Sequence, residues 1–463
     1  MWQRLCKTKK TYPFLCPPNH PILLFLMSMK NFEKRLTHDI CDRLEKWFEK
    51  EPSELYNNLL LGKCDVVKNG NTFHELELYA ILAFLAMSYG MNSYQFQNIK
   101  DNVFMYSKVD YHFLEAVIDT IKNVKILYDY EAPTTFDQFI AENNPLITIP
   151  DKCRILLFSD WGVGNQQAID LLQKATDQFS SIDYFIHLGD VYYTGTEKEF
   201  QEKYINLLEN ILLIKHPKCR ILTLAGNHDL YGGGKAYYQS LKHFNQPSSF
   251  FVLQNKHVQI NALNTGYEDS KVQIFPEYKN TNYGVPKEEA EWHFKTIMEF
   301  HKKKHIMLSH HGLLTNTGNF FQKDDRFIPV NEKLYHQFKS VINMTDIWYY
   351  GHQHSYVVFD PYTFPNSDIT IQRARLIGYS GCQEQDTTLG TEYTKLTLDT
   401  MDYPIPDFSS QPWTPLQNNG ILQSLGFVEL LLENEKITSN YFECPVLKVG
   451  KYGRLQVNFS ENL

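Results

Sequence analysis

The eight cysteines, at positions 6, 16, 41, 64, 153, 219, 382 and 444, include no Cys-x-x-Cys pair. That excludes a dithiol redox motif and a four-thiolate zinc module. Thiols scattered this widely are read as reduced and mostly buried, in a reducing compartment. Long apolar runs are also missing. The longest, 78–87 and 21–27, fall short of the roughly 18 residues a transmembrane helix needs. Positive charge is scarce: 45 Lys+Arg against 53 Asp+Glu leave a net charge of −8. Such a chain has no general attraction for nucleic acid or anionic membrane, so any phosphate handling must be local. Repeats and low-complexity tracts are absent, and 43% hydrophobic with 21% charged residues excludes disorder as the dominant state.

What is present is length and a change of grammar along it. A chain of 463 residues suits one large catalytic domain plus an accessory piece. Residues 1–29 place Arg4, Lys7, Lys9 and Lys10 ahead of the short run Ile22 to Leu26. A signal peptide has that order, but this run is short and no small-residue cleavage site follows. The segment is read as a loose arm or a mis-assigned start ahead of Met27 or Met29, and the protein as cytoplasmic. Residues 30–145 read as a helical accessory domain. Phe32, Leu36, Ile40, Leu44, Trp47 and Phe48 form one helical face, and 72–89 and 111–128 repeat the pattern. No metal or nucleophile pattern appears there, so this block is assigned to a protein partner, to oligomerisation or to control of access.

From Pro150 onward, short apolar runs alternate with helical stretches. The runs at 154–158, 184–188, 220–225, 258–263, 305–308 and 347–350 read as strands buried on both faces, and 166–179, 197–214 and 287–303 as helices. The alternation predicts an α/β unit over 150–445. Further strands are expected at 373–378, 426–432 and 437–442, with Asn434 in a turn, and 446–463 is read as a tail.

Chemistry gathers at the strand ends. They deliver Asp160-Trp161-Gly162, Gly189-Asp190-Val191-Tyr192-Tyr193, Gly226-Asn227-His228-Asp229, Ser309-His310-His311 and Gly351-His352-Gln353-His354. Ligands in α/β sheets bind beyond the carboxyl ends of the strands. A lone histidine is usually a satisfied core residue, but five convergent occurrences are not. Carboxylate, amide and imidazole donors without cysteine suit Mn, Fe, Zn or Co, and there are enough of them for two ions. The turn Asn264 to Tyr267 and the glycines 232–234 lie nearby. The former either faces the site or, the preferred reading, is a plain turn; the latter reads equally as a rim or a loose turn. His187 reads as a structural histidine near the metal strands. His243, His257, His293, His301 and His305 read as surface or turn residues.

These five blocks, in this order and spacing, resemble the calcineurin-like metallophosphoesterases, over about 154–356. The form closest in pattern is the bacterial branch whose GDxxY block is shared with purple acid phosphatases. The resemblance implies a four-layer α/β/β/α sandwich. It also implies two divalent or mixed-valent ions (Fe, Mn or Zn) and hydrolysis of phosphate esters by a metal-bound hydroxide. Asp160, Asp190 and His354 would hold the first ion, with Asp190 bridging. Asn227, His310 and His352 would complete the second. His228 would contact the phosphate and protonate the leaving oxygen, with Asp229 orienting its imidazole. The family usually has His two residues after the first Asp. Here Gly162 stands there, and Tyr193 is the natural replacement ligand, as in purple acid phosphatases. Only one of the adjacent histidines is needed as a ligand. The family block aligns on His310, leaving His311 to the substrate side with Asn227 and His228. Two alternatives stand beside a phosphomonoesterase: a phosphodiesterase acting on nucleotides, and a binding scaffold without chemistry. No stripe of Lys and Arg near the motifs favours long nucleic acid, and Lys302-Lys303-Lys304 reads as a solvated helix end.

Overall fold

The structure, a computed structural model, describes residues 136–463 except 162–163, 165, 192, 268–282, 302, 316–320, 324–325, 382–402, 405, 407, 411–423 and 449–450. The N-terminal arm, nearly all of the helical block, and Gly162 lie outside the described residues.

Two sheets carry the fold. In the seven-stranded sheet, Lys152–Phe158, Tyr184–His187 and Arg220–Thr223 run parallel. Ser424–Glu433 adds antiparallel to the first of them, and Lys436–Lys448 pairs onto that. In the eight-stranded sheet, Val258–Leu263, Lys304–Ser309, Thr345–Tyr350 and Ala374–Ile377 are parallel neighbours. The six runs read as doubly buried strands are therefore strands, divided three and three between the sheets.

Side-chain alternation builds the layers. Ile155, Leu157 and Ile186 join Ile306, Leu308, Ile347 and Tyr349 in one core between the sheets. The alternate residues Leu156, Phe158 and Phe185 face outward onto the helix Gln166–Gln178, the helical stretch 197–215 and the helix Lys235–His243. Met307, Trp348 and Tyr350 face outward from the other sheet, onto Lys287–Glu299 and Glu332–Phe338. Each strand is apolar on both faces because each sheet is sandwiched. The result is the expected α/β/β/α order.

Three expectations need correction. Residues 446–463 are not a tail. Gln456–Asn462 pairs antiparallel with Lys436–Lys448. Its Glu461 accepts two hydrogen bonds, at 2.9 and 2.8 Å, from the buried Arg375 of the other sheet. A bidentate, charge-assisted pair of this kind fixes the strand. The boundary near 150 also lies too late. Leu146–Thr148 is a strand beside Phe251–Gln254, and Phe136 stacks 5.8 Å from Phe250. Finally, His293 and His305 are buried. His293 lies on the inner face of its helix, where burial lowers its pKa to about 3.

Glu443 is buried and one carboxylate oxygen has no hydrogen-bond partner. Burial pushes it up to about 7, against an ordinary 4.5. The groups facing it, Tyr356 and Tyr379, are themselves raised by burial and carry no charge at neutral pH. A native pKa above the unfolded one gives stability that is whole below about pH 4.5 and lost as pH rises through 7, by about 3 kcal/mol. Glu443→Gln removes this loss. Thermal melts should show the variant gaining on the wild type between pH 5 and pH 8. A difference that does not change with pH would mean that the carboxyl is not held neutral.

Candidate metal centre

The ends of parallel strands from both sheets meet at the donor groups, and three of those ends turn sharply. Asp160, Asp190 and His352 adopt positive φ, at 58°, 61° and 69°. Non-glycine residues are rarely held there, and such strain concentrates at functional sites. Gly226 permits the close approach of two of these turns, since a Cβ on it would lie 2.0 Å from Asp190 Oδ1.

The carboxylates are fully buried. Asp160 Oδ2 accepts from the Ser159 hydroxyl and from the His352 backbone N–H at 3.1 Å. Asp190 Oδ1 accepts from the His228 backbone N–H at 3.1 Å. Asp160 Oδ1 and Asp190 Oδ2 have no hydrogen-bond partner. Among the described residues no Lys or Arg is ion-paired with either carboxylate. Each faces only an imidazole, His354 Nε2 at 3.6 Å from Asp160 Oδ1 and His310 Nε2 at 3.4 Å from Asp190 Oδ2. Carboxylate oxygens buried this way are costly, and a cation between them would engage both.

Two groups of donors surround those oxygens. Asp160, Asp190 and His354 bring one ligand atom each within 4.8 Å of one another, as do His310, His311 and His352. Asp190 Oδ2 links the groups, 3.4 Å from His310 Nε2. Asn227 Oδ1 lies 3.2 Å from His310 Nε2 and 3.1 Å from His352 Nδ1. His310 Nδ1 lies 3.0 Å from the Leu188 carbonyl, which can only accept, so that nitrogen carries its proton and Nε2 faces the cluster.

The electrostatics ask for positive charge. Burial raises Asp160 to about 8. Burial acts the same way on Asp190, but the charges of His310 and His228 outweigh it and hold that carboxyl well below its usual range. Burial alone would lower His310, and the charge of Asp190 raises it to about 9. Burial keeps His354 at about 4, and His311 and His352 well below their usual value. These three are neutral, the form in which imidazole ligates a metal.

The structure brings Asp160, Asp190, Asn227, His310, His352 and His354 together, with His228 beside them. His311 is closer to the cluster than a purely substrate-side residue would be. Its ring lies 4.3 Å from those of His352 and Tyr283. Asp229 departs from expectation. Its carboxylate accepts from the backbone N–H groups of Asp190, Val191 and Gly226, each at 2.8 Å. It splices two ligand turns, while His228 Nδ1 meets the Tyr193 carbonyl at 2.7 Å. Tyr193 is buried in the same loop. The glycines after Tyr231 form the turn into the helix Lys235–His243.

Sequence reasoning passed over Glu199. It closes a capping box with Thr196, and its half-buried carboxylate accepts from the backbone N–H groups of Tyr193, Thr194 and Thr196. Burial raises it to about 7. The Thr-x-x-Glu spacing was the available signal.

Residues 153–356 match the family model described as calcineurin-like phosphoesterase. No curated protein matches the chain. Among solved structures, a purple acid phosphatase from yellow lupin (Lupinus luteus) aligns at 15% identity and TM-score 0.40, over 68% of this chain and 54% of that one. This chain thus spans about half the length of the lupin protein. GAP50, the anchor in the inner membrane complex of Plasmodium, aligns at 11% identity and TM-score 0.39, over 66% and 89% of the two chains. Vps29 of Chaetomium thermophilum aligns at 11% identity and TM-score 0.28, over 67% and 93%.

Proposed function

We propose, from the match of residues 153–356 to the calcineurin-like phosphoesterase model, that the protein is a metal-dependent hydrolase of phosphate esters with a dinuclear site. The observation that carries this reading is the pair of fully buried carboxylates, Asp160 and Asp190, set among imidazoles in two donor groups and paired with no Lys or Arg among the described residues. Asp160, Asp190 and His354, with Tyr193, would hold one ion. Asp190, Asn227, His310 and His352 would hold the other. When bound, such ions polarise a phosphoryl oxygen and lower the pKa of a water.

The chain's own residues do the rest. The Tyr193 carbonyl can only accept, so it holds the His228 ring by Nδ1–H, and the ring as imidazolium would pass its Nε2 proton to the leaving oxygen. Asn227 Nδ2 donates to the Tyr231 hydroxyl, which turns Oδ1 toward the donors. His311, packed on His352, and Asn227 would also meet the substrate phosphate. An acidic protein handles an anionic ester here because cations, rather than Lys and Arg, supply the positive charge. A cytoplasmic location belongs to the same proposal. It rests on Cys153, Cys219 and Cys444 being free and buried.

Hydrolysis of p-nitrophenyl phosphate and of its bis ester tests the proposal. Chelation should abolish turnover, and Mn, Fe or Zn should restore it. The ratio of the two rates separates monoesterase from diesterase. Inactivity on both esters together with no bound metal would leave a scaffold. A visible band present after aerobic purification and lost in Tyr193→Phe is expected if the phenolate ligates iron. A spectrum that does not depend on Tyr193 removes it from the ligand set.

A further inference from the structure

The turn that follows Val258–Leu263 is absorbed by none of the roles above, yet it touches two of the ligand turns. We propose that Asn264-Thr265-Gly266 is a sixth working element of the site, and that Thr265 is a positioning residue for the His310–His311 turn. The proposal rests on the metal-dependent phosphoesterase reading.

Register places this turn. Leu263 pairs with Ser309, so the chain leaving the one strand lies beside the chain leaving the other. Thr265 is fully buried, and its Oγ1 accepts from the His311 backbone N–H at 2.9 Å. Gly266 lies against Ala225-Gly226, the backbone that leads into the Asn227–Asp229 turn. A Cβ there would come within 2.5 Å of the Ala225 carbonyl oxygen and 2.8 Å of the Gly226 carbonyl carbon. Asn264 ties the turn down from behind. Its backbone N–H donates to Glu289 Oε1 at 2.8 Å, and its Nδ2 donates to the Ser249 hydroxyl at 2.9 Å. Glu289 is itself fully buried, in the first turn of Lys287–Glu299. Burying a carboxylate is expensive unless its oxygens are engaged. Here one of them grips the backbone of the turn.

The consequence falls on the histidines. The Thr265 bond fixes the backbone of His311. That residue packs on His352, and its neighbour His310 offers Nε2 to the cluster. Without the hydroxyl, the His311 N–H is buried with no acceptor, and the turn must shift to recover one. Displacements of about 1 Å at such sites cost on the order of a hundredfold.

The test is Mn2+ binding to the metal-stripped full chain by calorimetry, alongside kcat and KM on p-nitrophenyl phosphate. Thr265→Val removes the hydroxyl at nearly constant volume, and Thr265→Ala removes it without adding bulk. Both should weaken Mn2+ binding by about 10- to 100-fold, as loss of a partner that orients ligands does. kcat should fall more than KM rises, and Thr265→Ser should restore affinity and kcat together. Wild-type affinity in the Val and Ala variants would overturn the proposal. So would a Ser variant as weak as Ala, because the methyl group would then be what matters. A wild-type chain that binds Mn2+ but hydrolyses neither ester would defeat the phosphoesterase reading while the affinity series still judges Thr265. A wild-type chain that binds no Mn2+ would defeat both.

Discussion

Replacing His228 by alanine is expected to lower turnover of an alkyl phosphate by about 10²- to 10⁴-fold, the usual contribution of a positioned general acid, with bound metal retained. Retention follows from which atoms of His228 are used. Its backbone N–H, not its ring, donates to Asp190 Oδ1, so alanine keeps that bond. The ring is held elsewhere, by the Tyr193 carbonyl at Nδ1 and against the Tyr231 ring at 4.8 Å. With Nδ1–H held by the carbonyl, Nε2 of the imidazolium is the atom that can deliver a proton. An alkoxide leaving group needs that proton and p-nitrophenolate hardly does. The loss should therefore be large on the alkyl ester and small on the nitrophenyl ester, with metal content equal to wild type. Equal losses on both esters would assign the ring to charge stabilisation instead of proton transfer.

The sequence made some of this readable, for definite physical reasons. Strands covered on both faces have no polar alternation, so 154–158 and 305–308 stood out as apolar runs, and the ligands stood at their ends. What it could not show is which backbone groups a side chain serves. Asp229 follows His228 directly, and adjacency suggested a partner for the imidazole, but its carboxylate reaches across to Asp190 and Val191. Thr265 looked like a turn residue because its value depends on His311, 46 positions away along the chain. The C-terminal strand was missed because its seven residues are mostly exposed. It is held by edge pairing and by Glu461, neither of which leaves a hydrophobic pattern.

Asp229→Asn is the second large effect, and it should appear in stability before chemistry. Oδ2 accepts from two backbone N–H groups, of Asp190 and Gly226, and Oδ1 accepts from that of Val191. An amide has one acceptor oxygen. If that oxygen keeps the Oδ2 place, its own NH2 is turned on the Val191 N–H, donor against donor, in a fully buried site. Leaving one such group unsatisfied, and exchanging a charged acceptor for a neutral one, costs about 2–4 kcal/mol. The strained backbone of Asp190, at φ 61°, is held by these bonds, so it should relax and move its carboxylate. Asp229→Asn should therefore unfold at lower denaturant and come off the column short of metal. A residue whose task was to orient the His228 ring would behave otherwise, with wild-type stability, full metal and a loss confined to kcat. Denaturant melts and metal analysis on the Asp229→Asn and His228→Ala variants together separate the cases. The first should lose structure and metal, and the second only its leaving-group-dependent rate.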